Sequence, residues 1–78
     1  MARHDNEQRI LAAIKDPDVN FVIWSYYFKN ATNGQITKQL KSAGRKCSIS
    51  WVGIKRQEGI EILRKSFTEE ELRNMLRR

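Results

Sequence analysis

The sequence predicts a mainly α domain, a small bundle of four to five helices. Three observations carry this. Three segments begin with a side chain able to cap a helix and carry Gln or Glu three residues on: Asp5 with Gln8, Thr32 with Gln35, and Thr68 with Glu71. Between these starts, apolar residues recur at three- and four-residue spacing, the period of a helix buried on one face. Finally, 78 residues leave room for one core, near the lower end of what folds without a disulfide, metal or partner. A single domain over 1–78 is expected, with its core in about 5–67.

The first helix follows Asp5, places Ile10, Leu11 and Ile14 on one side, and is expected to end near Lys15. Asp16-Pro17 then reads as a new cap with Pro at the first helical position. The segment after it, "DVNFVIWSYYFKN", is apolar almost all round, which assigns it to the centre of the domain. Its β-branched and aromatic content also permits a strand, but its length and cap favour a helix. These aromatics are expected in the core rather than as a base-stacking platform, because so short a chain has few other large residues to build with. "NATNG" is a turn. Thr32 starts the next helix, where Ile36, Leu40 and Ala43 face inward, Lys38 and Lys41 face outward, and Gly44 is the left-handed stop.

The stretch from Cys47 to Leu63 supports three arrangements. A helix capped by Ser48 or Ser50 would stop at Gly59. As a strand pair, Cys47, Ile49 and Trp51 alternate with serines and "RQEG" turns the chain into "IEIL". The third combines them: a short helix from about Ser50 to Glu58, Gly59 as its cap, and "IEIL" as either a further helix or one strand of a short β-hairpin wing around residues 54–63. The last segment, "FTEEELRNMLRR", is a capped helix over 68–78 with acids early and arginines late, as the helix dipole favours. Its face of Leu72, Met75 and Leu76 serves packing or dimerisation.

Charge is segregated along the chain. The net charge is +6, and between Gly34 and Lys65 eight basic residues stand against Glu58 and Glu61, while the remaining basic and acidic residues cancel. An excess confined to one segment of a small domain is the footprint of a polyanion-binding face. Cys47 is the single cysteine and His4 the single histidine, so neither a disulfide nor a zinc set can be assembled, and Cys47 is expected as a small half-buried residue beside a turn. No carboxylate pair, phosphate-cradling Gly loop or Ser-His-Asp set has workable spacing. Neither an enzyme nor a cofactor is expected. No apolar run approaches the roughly 20 residues of a membrane helix, and "MARHDNEQRI" lacks a signal-like apolar region, which points to a cytoplasmic, nucleoid-associated protein with no membrane partner.

A Gly-stopped helix, a short turn and a Ser-capped basic helix form the pattern of a helix-turn-helix, whose second helix enters the major groove of duplex DNA. On that pattern Lys38, Lys41, Arg45 and Lys46, with Arg64 and Lys65, would grip phosphates. Ser50, Gly53, Lys55 and Arg56 would face the bases, with Trp51 better assigned to the core.

"VIWSYYFKNATNGQITKQL" followed by "SISWVGIKRQEGIEILRKSF" resembles the helix-turn-helix domain at the C-terminal end of bacterial sigma factors, which reads the −35 promoter element. The shared features are the Tyr-Phe helix end, the Thr-capped helix with Ile and Leu four apart, and the Ser-capped helix ending in Leu-Arg-Lys. The resemblance covers roughly residues 19–67 and implies that Trp51, Val52, Lys55 and Arg56 contact bases and backbone. Gln57 stands where that family has an apolar residue facing the core. "IKRQEGIEIL" is similar to the end of a recognition helix and the first wing strand of winged-helix regulators. Both resemblances imply duplex DNA binding in transcription control. The function expected is a small bacterial, phage or plasmid transcriptional regulator, working as a homodimer or within a larger DNA-bound complex. The alternatives are an adaptor acting on RNA polymerase or a replication complex, and a basic RNA-binding domain.

Overall fold

The computed structural model describes residues 3–76. They form five helices in chain order: α1 Arg3–Ala12, α2 Pro17–Ile23 continuing into a π-helical turn over Trp24–Phe28, α3 Asn33–Ser42, α4 Ile49–Ser66 and α5 Glu69–Met75. The mainly α bundle is as expected. Among the described residues there is no strand, so no wing forms and residues 54–63 lie wholly inside α4.

The caps set most of the helix starts. Asp16 accepts from the Asp18 and Val19 N–H groups, with Pro17 in the first turn of α2. Thr32 and Gln35 form a reciprocal capping box on α3, and Thr68 and Glu71 form a second on α5. Asp5 differs from expectation: α1 has already begun at Arg3, so Asp5 sits inside the first turn, where its carboxylate faces the positive end of the dipole. Helix α1 also stops at Ala12, short of Lys15, because the Asn20 side-chain amide from α2 donates to the carbonyls of Leu11 (2.9 Å) and Ile14 (3.1 Å). Those carbonyls thereby find a partner outside the helix. The α2 segment ends where the Lys29 N–H donates to the Trp24 carbonyl five residues back, and Asn30 takes a left-handed conformation (φ 56°) that redirects the chain.

Two apolar clusters share α2 and α4 as their common wall. One joins Ile10 and Ile14 to Val19, Ile23, Phe28, Leu63, Leu72 and Met75. The other joins Val22 and Ala31 to Ile36, Leu40 and Val52. Helix α4 therefore has two halves with different neighbours: its N-terminal half packs with α3 over the second cluster, and its C-terminal half is seated on the first. Leu72 and Met75 of α5 are buried in that first cluster, so the apolar face of α5 packs on its own domain; residues 77 and 78 of the expected 68–78 helix lie outside the described residues.

Gly59 departs most from the sequence reading. It is not a cap; α4 runs straight through it. Gly59 is buried, and a Cβ there would overlap Ile23 Cγ1 and stand 2.6 Å from Ile23 Cδ1 and 3.1 Å from Val19 Cγ1. Here glycine allows α4 and α2 to cross at close range.

The α5 capping box yields a pH prediction. Hydrogen bonds from the Thr68 N–H and hydroxyl, with Arg9 at 3.7 Å adding its charge, hold the Glu71 carboxyl below its ordinary value of 4.5. A carboxylate with a depressed folded-state pKa adds stability that is complete above the unfolded value and is lost as pH falls through the folded one. The melting temperature of Glu71→Gln, which retains a side-chain acceptor, is expected to fall less steeply than that of the wild type below pH 4.5. Parallel acid slopes in thermal melts would show that Glu71 has no such part.

Candidate nucleic-acid interface

The junction between α3 and α4 is built by local hydrogen bonding. Gly44 has φ +85°, its N–H donates to the Lys41 carbonyl, and the Arg45 N–H reaches back to the Leu40 carbonyl at 2.9 Å. This is the six-to-one and five-to-two pairing of a Schellman stop, and it requires a left-handed residue at Gly44. The chain then crosses to Ser48, whose hydroxyl accepts from the Trp51 N–H at 3.1 Å and starts α4. Cys47 is half-buried beside the turn, as expected, with its thiol 3.7 Å from the Thr37 carbonyl. Val52 is fully buried and Trp51 packs half-buried against the same cluster, which anchors α4 against α3.

That anchoring decides which face of α4 looks outward. Ser50, Ile54, Gln57 and Glu61 are exposed at four- and three-residue spacing and form one stripe, with Gly53 beside it. Ile49 and Ile54 are 59% and 57% exposed. Between α3 and the start of α4 runs an open cleft of about 820 Å³, bordered by Gln35, Lys38 and Lys41 on one side and Ser48, Ile49 and Ser50 on the other. The structure thus brings Lys38, Lys41 and Ser50 together, with exposed Lys46 on the connecting turn. Lys38, Lys41 and Lys46 make no ion pair with a described residue, whereas Arg45 is half-exposed and paired to Asp18 at the start of α2.

Lys55 and Arg56 lie elsewhere than the sequence reading put them. The Lys55 side chain is only 22% exposed, with its ammonium 3.3 Å from the Glu58 carboxylate and 5.6 Å above the Trp51 ring. The Arg56 guanidinium lies 4.2 Å above the Tyr26 ring. Both flank the helix outside the Ser50–Ile54–Gln57 stripe, since half-buried aromatic faces attract cations. Val52, assigned a DNA contact by resemblance, is buried and cannot make one, and Gln57 points to solvent instead of the core. Arg64 and Lys65 are exposed in the last turn of α4, about 21 Å along its axis from Ser50.

Sequence reasoning missed Ile49, Ile54 and Gln57 as outward residues. The available signal was the stripe of Ser50, Gly53, Ile54 and Gln57 at three- and four-residue spacing, on the side of the helix opposite Val52. Among the described residues no group of three or more His, Cys, Asp or Glu could hold a metal ion, and no helix is long and apolar enough to cross a membrane. No protein-family model matches the chain, and neither a curated protein nor a solved structure matches it significantly.

Proposed function

We propose that the chain binds duplex DNA through α3, the Gly44 turn and α4, and acts as a small sequence-specific transcriptional regulator. The observation that carries this reading is the outward stripe of α4 standing beside Lys38, Lys41 and Lys46, three exposed lysines without an internal acid. A stripe of this kind meets base edges in a major groove about 12 Å wide, while the lysines reach the phosphates beside it. The buried face of α5 leaves any dimer contact to another surface. A dimer remains the expected state on DNA, since one such domain spans few base pairs.

The two glycines of α4 support the same reading. Gly59 is explained by packing, but at Gly53 the nearest neighbour to an added Cβ is Asn33 Nδ2 at 3.9 Å, ordinary contact. A helix-interior glycine costs about 1 kcal/mol relative to alanine, and at Gly53 the fold obtains nothing in return. A ligand approaching the helix backbone would supply the reason. Gly53→Ala is expected to raise the melting temperature by about 4–8 °C and to weaken DNA binding. Unimpaired binding in a stabilised variant would separate Gly53 from the interface.

The reading as a whole is tested by binding to a random pool of short duplexes at two salt concentrations, with RNA as competitor. Enrichment of a defined site with a steep salt slope supports a regulator. Salt-steep binding that RNA abolishes would support an RNA-binding domain instead. The exposed Ile49 and Ile54 favour one further alternative, an adaptor docking on RNA polymerase or a replication complex, with nearly salt-insensitive affinity.

A further inference from the structure

We infer that α4 reads A·T base pairs, with Ile54 against a thymine methyl group and Gln57 on the adenine of a neighbouring pair. This rests on the DNA-binding reading above and specifies its ligand. The exposed large hydrophobics among the described residues are Ile49 and Ile54, both in the N-terminal turns of α4, the end of a recognition helix that approaches base edges. The major groove presents one apolar group, the thymine methyl. Gln57 lies on the same stripe three residues on, a rise of about 4.5 Å, close to the roughly 3.4 Å between base pairs. Its amide offers the donor and acceptor that match adenine N7 and N6.

The arrangement also disfavours guanine as the target. Guanine is read by Arg or Lys presented to its O6 and N7, and the two cations in this part of α4 are diverted, Lys55 to Glu58 and Trp51, and Arg56 to Tyr26. Ser50 accepts either kind of pair. Glu61, exposed on the same stripe about 6 Å beyond Gln57, would repel phosphate and so restricts close approach to the turns before it.

The test uses the full chain and the duplex selected from the random pool, with thymine replaced one position at a time by uracil, which removes the methyl and leaves the pairing edge intact. At one position the wild type is expected to lose about fourfold in affinity, the value of one buried carbon. Ile54→Ala should lose a similar factor on thymine DNA and nothing more on uracil DNA. Gln57→Ala should bind about tenfold more weakly and accept any base at the adenine position. Both side chains are exposed, so unchanged circular dichroism should accompany these losses. A G·C-centred site, or salt-steep binding indifferent to uracil at every position, overturns the A·T assignment while leaving the DNA-binding reading intact. Absence of binding to any duplex at low salt overturns both.

Discussion

Gly59→Ala is expected to destabilise the domain by about 2 kcal/mol, although alanine is the better helix former by about 1 kcal/mol. The added methyl would overlap Ile23 Cγ1, and Ile23 is itself fully buried between α2 and α4. Two responses are open. Either Ile23 leaves its rotamer, or α4 moves off α2, and then both clusters loosen because both depend on that crossing. The proof of mechanism is a double-mutant cycle. Ile23→Ala alone leaves a cavity and costs about 2–5 kcal/mol, but it removes the atoms that oppose the new methyl. The pair should therefore be more stable than the sum of the single changes by about 1 kcal/mol or more. Strict additivity in denaturant titrations would show that the crossing has slack, and a stabilising Gly59→Ala would show that the two helices do not meet there. Gly53→Ala in the same helix controls for propensity, since it adds the same methyl in open surroundings.

Gly59 also marks the boundary of what the sequence discloses. Caps are readable because donor and acceptor lie within three residues, as at Asp16, Thr32 and Thr68. Gly44 is readable because nothing apolar at helical spacing continues immediately beyond it. Gly59 also follows a helical run, but Ile60, Ile62 and Leu63 continue beyond it, and its cause lies in α2, more than thirty residues earlier in the chain. Those apolar residues suit a strand as well as a helix, so local pattern alone does not show that the glycine admits a neighbour rather than ending the helix. The site divides in the same way. Lys38 and Lys41 could be placed because Ile36 and Leu40 set the inward face of α3. The apolar residues of α4 point both ways, Val52 and Leu63 inward, Ile49 and Ile54 outward, so periodicity alone could not orient Lys55 and Arg56. Tyr26 holds Arg56 through a tertiary contact that no local motif encodes, whereas Lys55 is held within α4 itself, by Trp51 four residues before it and Glu58 three residues after it.

Replacing Lys38, Lys41 and Lys46 together by alanine is expected to reduce the dependence of log affinity on log salt by about 2.7, at roughly 0.9 per phosphate released. At 0.1 M salt this is a loss of about 500-fold, shrinking toward nothing near 1 M, where counterion release no longer contributes. The three side chains are exposed and without an internal acid, so their removal leaves the core untouched. Arg45 is left in place because Asp18 already offsets its charge. The loss should be alike on the selected site and on scrambled DNA, since phosphate contacts fix position and carry no sequence information. Lys55→Ala and Arg56→Ala supply the contrast. Each removes a cation engaged with the protein itself, so the salt slope should barely change, and any loss of affinity should accompany a lower melting temperature as Trp51 loses the Lys55 side chain over its ring or α4 loses its hold on Tyr26. If instead the triple lysine variant kept the wild-type slope while Lys55→Ala and Arg56→Ala lowered it, those two cations would leave their aromatic partners on binding, and the DNA would lie along the flanks of α4 rather than on its Ser50–Gln57 stripe.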